Sequence, residues 1–289
     1  MPFFHDLSDN PLLVNGLIAG LLASFACGLI GPYVVTRRFV FLAGAIAHMA
    51  VGGIGLAIFL RYHVRDWFGW FEPIYGAMFA AVIGAVVITL VHQYVRERLD
   101  TLIGAMWAVG MTLGILLVKL TPGYYAELMS YLFGNIAAVP GSDLWLMAGL
   151  NAVMALAVLL FHKRILAICL DEQFADLQGV SPLWTNLVLL VLVSLTVVVL
   201  IQIVGVILVI ALLALPAATA AHHLSRMAPI MLASMILSVL LTTLPRIAVY
   251  DVTALGAPIS PEAAIVLAAA VLYLASVLAV RVKARFARR

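Results

Sequence analysis

Apolar residues run along this chain in long blocks, each bounded by charges or turn residues. Nine such runs stand out, at roughly 11–35, 39–60, 74–95, 101–120, 143–162, 183–203, 204–222, 228–247 and 262–281. Each is too long and too continuously apolar for the alternating strands of a membrane barrel. In lipid the remaining way to satisfy every backbone group within one segment is the α-helix. The forty residues Leu183–His222 contain no Lys, Arg, Asp or Glu. As one helix they would extend about 60 Å, twice the roughly 30 Å of a bilayer's hydrocarbon core. They are therefore expected to form two spans that turn near Gln202–Gly205. The pattern predicts an all-α, polytopic transmembrane helix bundle of about 8–9 spans.

Composition agrees. Of 289 residues, 65% are apolar and only 10% charged, and the mean hydropathy is +1.18. A water-soluble fold cannot hide that much apolar surface. Polar stretches are short, so residues 1–289 are read as a single membrane domain with no separate soluble part. The net charge of +3 is no nucleic-acid signal, because the basic residues sit at span ends. Cys27 and Cys169 lie in or beside apolar runs and do not form a disulfide framework. The opening MPFFHDLSDN carries two acids and no basic residue. That is the wrong flank for a cleaved leader, so the first span is expected to persist.

The distribution of Lys and Arg then orients the bundle. With the N-terminus outside, Arg37, Arg38, Arg96, Arg98, Lys163, Arg164, Arg226, Arg281, Lys283, Arg285, Arg288 and Arg289 face the cytoplasm. Arg61, Arg65, Lys119 and Arg246 face outward. Twelve against four favours an external N-terminus and a cytoplasmic C-terminus. The 121–141 loop has room for a short re-entrant helix. Gly16 with Gly20, Gly110 with Gly114, and the cluster Gly52, Gly53 and Gly55 supply small surfaces for close helix approach. They suit packing within one subunit or a dimer seam.

Absent chemistry narrows the function. Every Asp and Glu lies in a loop or at a span end, and none at mid-membrane, where ion-coupled transporters usually keep ionisable groups. There is no GxxxxGK[ST], so the chain has no phosphate-binding loop of its own. HExxH and GxSxG are missing too, and an enzyme is not expected. The polar anomaly is His48, about nine residues into the second run, hence about 13 Å deep. An intramembrane His needs a partner or a function, and imidazole is a common zinc ligand. It is either a passing ligand for a metal ion or a neutral His bonded to a nearby carbonyl. His222, His223, His162 and His92 stand at cytoplasmic span ends, as interfacial anchors or as an exit route for a metal. Tyr250 and Asp251 follow the eighth run on the outer side. Asp251 either lies at the mouth of a cation path or is merely solvated. Asn135 reads as a turn former.

The cytoplasmic loop 170–182 reads LDEQFADLQGVSP. Asp171 can cap a short helix, Phe174 and Leu177 share one face, and Gly179 and Pro182 can end it. Such a helix could lie on the membrane or dock into a groove of a soluble protein. The acids Asp171, Glu172 and Asp176 suit a protein better than anionic lipid.

Five segments together resemble the permease subunits of bacterial ABC importers for zinc, manganese and iron. They are GPYVVTRRFVFLAGAIAH at 31–48, DTLIGAMWA at 100–108, YLFGNIAAVPGSDL at 131–144, LDEQFADLQGV at 170–180 and VGVILVIALLALPAATA at 204–220. The resemblance runs from about Gly31 to Val280. It implies a multi-pass permease of the bacterial cytoplasmic membrane, paired with a second copy of itself. Separate ABC ATPase subunits would bind the inner face, and an extracytoplasmic metal-binding protein would deliver cargo. Asp171, Glu172, Phe174, Ala175 and Gly179 would then contact the ATPase through the coupling helix. His48 matches the family's membrane His, but the Asp expected four residues earlier is Gly44 here. Some zinc-type members carry a His where this chain has Ala108. Tyr250 and Asp251 match an outer-loop pattern whose following segment, 252–261, is longer here. The expected metal residues are His48 and Asp251. No permanently bound cofactor is expected, and the transported ion is expected to be zinc, then manganese or iron. A stand-alone cation transporter or channel is the alternative, and a membrane scaffold or sensor a third. Lipid is a partner in every reading, nucleic acid in none.

Overall fold

The computed structural model describes residues 3, 6, 7, 10–94, 99–134, 139–253 and 260–286. Arg96, Arg98, Arg288, Arg289, His5 and Asn135, and the side chains of His92 and Gln202, lie outside the described residues. The long apolar runs are helices: α1 Pro11–Thr36, α2 Val40–His63, α4 Pro73–Tyr94, α5 Leu99–Lys119, α7 Gly141–Leu170, α9 Pro182–Val204, α10 Val206–Ala221, α11 Met227–Thr253 and α12 Pro261–Phe286. Among the described residues three short helices lie between them: α3 Arg65–Phe68, α6 Tyr125–Phe133 and α8 Glu172–Leu177. Among the described residues, eight helices are long and apolar enough to cross a bilayer. The remaining apolar helix, α10, has 16 residues and spans only about 24 Å. The expected short helix in the 121–141 loop is α6.

Helix starts follow local chemistry. Asn10 caps α1, its side chain accepting from the Leu12 amide, and Pro11 takes the first turn, where a missing N–H costs nothing. The fifth run ends later than the sequence suggested. Charged Lys163 and Arg164 did not stop it, and α7 continues to Leu170. A helix leaving lipid keeps its internal hydrogen bonds, so a charge marks the membrane surface and not the helix end.

The break between α9 and α10 falls at Gly205. Its φ of 77° and ψ of 162° suit glycine. A Cβ there would lie 2.6 Å from the Leu132 carbonyl oxygen of α6. One glycine thus turns the chain and admits the α6 backbone.

Cross-contacts sort the helix ends into two sets. At one end the Phe3 amide meets Asp251 and the Tyr250 hydroxyl donates to Asp6, while Tyr62 of α2 packs on Tyr124. At the other, Arg37 meets Glu172 and Asn186, and Gln93, Phe39 and Leu183 line one small cavity. The described residues of the larger basic group fall at the second end and those of the smaller group at the first. Arg246 lies at the first end but not on the surface. It is buried, with Nη2 donating to the Leu13 carbonyl at 3.2 Å.

Close packing comes from small residues, as lipid-embedded helices require. Gly53 and Gly76 bring the α2 and α4 backbones together, and Gly55 meets Gly114 of α5. Gly110 sits on His48, where an added Cβ would lie 2.5 Å from the carbonyl oxygen. The Gly110–Gly114 pair therefore works within one subunit. α2 and α9 are mostly buried, whereas α5 and α12 keep broad apolar faces outward.

Candidate functional site

His48 lies on α2, beside α5. Its ring packs on Trp107 at a centroid distance of 4.5 Å with a 54° tilt. The side chain is buried, and Nδ1 has no hydrogen-bond partner. The carbonyl bond weighed as one alternative is thus absent from that nitrogen. The position four residues earlier, Gly44, is packed from above. A Cβ there would lie 2.6 Å from Ile210 Cδ1 of α10 and 3.4 Å from Trp107 Cζ3. No three His, Cys, Asp or Glu side chains come together among the described residues. His48 thus offers one unpartnered imidazole nitrogen in an apolar, aromatic setting.

Asp251 is not brought to His48. It ends α11 at the far end of the bundle, where Oδ1 accepts the Phe3 amide at 3.2 Å. Its neighbour Tyr250 donates to Asp6 at 2.8 Å and packs edge-on against Phe3. Both residues hold the start of the chain against α11. His222 and His223 each meet the Ser276 hydroxyl of α12, at 3.1 and 3.0 Å, and His222 packs on Tyr273. They fasten the end of α10 to α12. His162 pairs with the Tyr33 hydroxyl between α7 and α1, so it is a packing residue and not a span-end anchor.

The 170–182 loop folds as its sequence predicts. The Asp171 side chain accepts the Phe174 amide at 3.0 Å, capping α8. The helix stops where Gly179, at φ 81°, donates to the Asp176 carbonyl and the chain turns away. Phe174 is 59% exposed and Leu177 87% exposed, so α8 offers an apolar face flanked by acids. Two of the residues expected to touch a partner make contacts within this chain. Ala175 is 2% exposed, so its methyl packs inside this chain and has no surface left for a partner. Glu172 is turned to Arg37, with its Oε2 2.7 Å from Nη2. Arg37 and Asn186 were missed as neighbours of the loop. By sequence Arg37 reads only as a topology charge, and no spacing rule links positions 37, 172 and 186.

Residues 9–280 match the ABC 3 transport family. A membrane protein of Synechocystis sp. is 42% identical over 179 residues, covering 61% of this chain and 60% of that one. The manganese transport system membrane protein MntC of Halalkalibacterium halodurans is 31% identical over 190 residues, covering 66% of this chain and 62% of MntC. The matched segments thus span about three-fifths of these two relatives. Among solved structures, PsaBC from Streptococcus pneumoniae, in complex with Fab, superposes with a TM-score of 0.82 at 26% identity, covering 95% of this chain and 94% of that one. The chain is a multi-pass membrane protein and belongs to the ABC 3 transport family.

Proposed function

We propose that this chain is the permease subunit of an ATP-driven importer of divalent transition-metal ions in a bacterial cytoplasmic membrane. The observation that carries the reading is α8. A short, well-capped helix presents Phe174 and Leu177 outward, at the end of the bundle that the Lys and Arg distribution assigns to the cytoplasm. The sequence has no phosphate-binding loop of its own. An exposed apolar helix face is suited to a groove on a soluble partner, here a separate ATPase. Two permease copies would form the pathway, and an extracytoplasmic protein would supply the ion.

His48 would meet the ion in transit. A closed four-ligand site would hold zinc too firmly for fast release, and a single imidazole would not. Zinc is the favoured cargo, because carboxylates suit manganese better and Gly44 supplies none. The relative named for manganese transport makes manganese the competing cargo. The test is reconstitution in proteoliposomes with the cognate ATPase, following zinc and manganese uptake in parallel. ATP-dependent uptake, lost when Phe174 and Leu177 are both replaced by Ala, supports the reading. Uptake that proceeds without any ATPase overturns it in favour of a channel or secondary transporter.

A further inference from the structure

The α8 segment is tied to the bundle through Arg37. This residue follows α1 directly, and its planar guanidinium spreads over three neighbouring elements. Nη1 donates to the Ile168 carbonyl of α7 at 2.8 Å. Nη2 donates to Glu172 Oε2 of α8 at 2.7 Å and to Asn186 Oδ1 of α9 at 3.0 Å. Asn186 closes the triangle by donating to Glu172 Oε1 at 3.3 Å. The Phe39 ring lies 5.0 Å below the guanidinium. Arginine's rigid fork fits this pattern of acceptors, and a lysine's single ammonium would not.

The backbone there is held in an unusual state. The Arg38 amide donates to the Val35 carbonyl and the Phe39 amide to that of Val34. This double closure of α1 usually places glycine in the left-handed position. Here the residue is Arg38, at φ 59°, which costs about 1–2 kcal/mol. The turn leaves Arg38 exposed while Arg37 points into the triangle. By contrast, the Asp171 cap and the Gly179 turn are local to the loop and do not fasten it to the bundle.

We propose that Arg37 is a positioning residue for energy coupling. It fixes α8 to the inner ends of α1, α7 and α9, so that force applied to α8 moves these helices and not the loop alone. This rests on the ATP-driven reading, and the test separates the two ideas. In the permease alone, in nanodiscs, hydrogen–deuterium exchange is followed at the amides of 174–180. In the complete complex, metal moved per ATP hydrolysed is measured. R37M and E172Q are each expected to speed exchange in α8 at least tenfold and to cut metal moved per ATP at least fivefold, with the ATPase still bound. The swapped pair R37E with E172R is expected to recover more than half of each loss seen in the single swaps. Should R37M fail to insert, E172Q carries the same comparison. Unchanged exchange in α8, unchanged coupling, or a swapped pair no better than its singles would overturn the proposal. A wild-type complex whose uptake ignores ATP would instead remove the transport reading, while the exchange measurement would still judge the tether.

Discussion

Ile210 of α10 fills the space beside Gly44 of α2: a Cβ on Gly44 would lie 2.6 Å from Ile210 Cδ1. A carboxylate four residues before His48 would share its helix face, and here an isoleucine from another helix holds that space. Gly44→Asp alone is expected to lower the yield of folded protein, since overpacking of this size costs about 1–3 kcal/mol. Gly44→Asp with Ile210→Ala is expected to restore the yield and to shift uptake toward manganese. Thermal unfolding in detergent and competitive zinc and manganese uptake are the checks, and a single variant as stable as wild type would contradict the packing.

His48 presents an unpartnered Nδ1 in a buried setting. His48→Ala is expected to cut metal uptake at least about tenfold, the scale on which changes to a ligand's surroundings act. Assembly with the ATPase should survive. Unchanged uptake would leave His48 as a packing partner of Trp107.

Phe174 and Ala175 are adjacent in sequence and opposite in role. Phe174→Ala is expected to change stability by no more than about 0.5 kcal/mol, as exposed substitutions do, yet to weaken ATPase binding severalfold. Ala175→Leu must push into a filled space and is expected to cost about 1–3 kcal/mol. Pull-down of the ATPase beside unfolding curves of each variant gives the answer. Equal effects on both readouts would erase the distinction.

Gly110→Ala places a methyl 2.5 Å from the His48 carbonyl. Neither backbone can yield cheaply, so α2 and α5 must separate. A stability loss of about 1–3 kcal/mol is expected, together with reduced uptake because His48 moves with its helix. Gly104→Ala, with open space around its Cβ, is the matched control and should be close to neutral.

Arg38→Gly relieves a left-handed residue. Relief of the strain and the added freedom of the unfolded chain oppose each other. The net expectation is a gain of up to about 1 kcal/mol, read as a higher unfolding temperature. A clear loss would mean that the exposed Arg38 side chain contributes more than its backbone costs.

Much of the helical framework was legible along the chain because lipid imposes a simple rule: every backbone group must be satisfied within its own segment. The break near Gln202–Gly205 could be read from length alone, and the α8 cap from Asp171 and Gly179. α7 ends at Leu170, eight residues beyond the apolar run that stops at 162, because a charge marks the membrane surface and does not end a helix. Arg246 counts among the outer charges by position, but its burial against α1 is not legible from its type. Hydropathy scores a residue by type and cannot see which neighbour satisfies it.

Linear order by itself determined that the chain lives in lipid, where its helices begin, and that one polar loop carries a short capped helix. These follow from periodicity, length and local hydrogen bonding, each confined to a few residues. Only the tertiary structure decided that residues 37, 172 and 186 meet, that Ile210 stands over Gly44, that Ala175 faces inward, and that Asp251 lies apart from His48. Those outcomes depend on which helix faces pack together, a choice made by the shape of small side chains across the whole bundle.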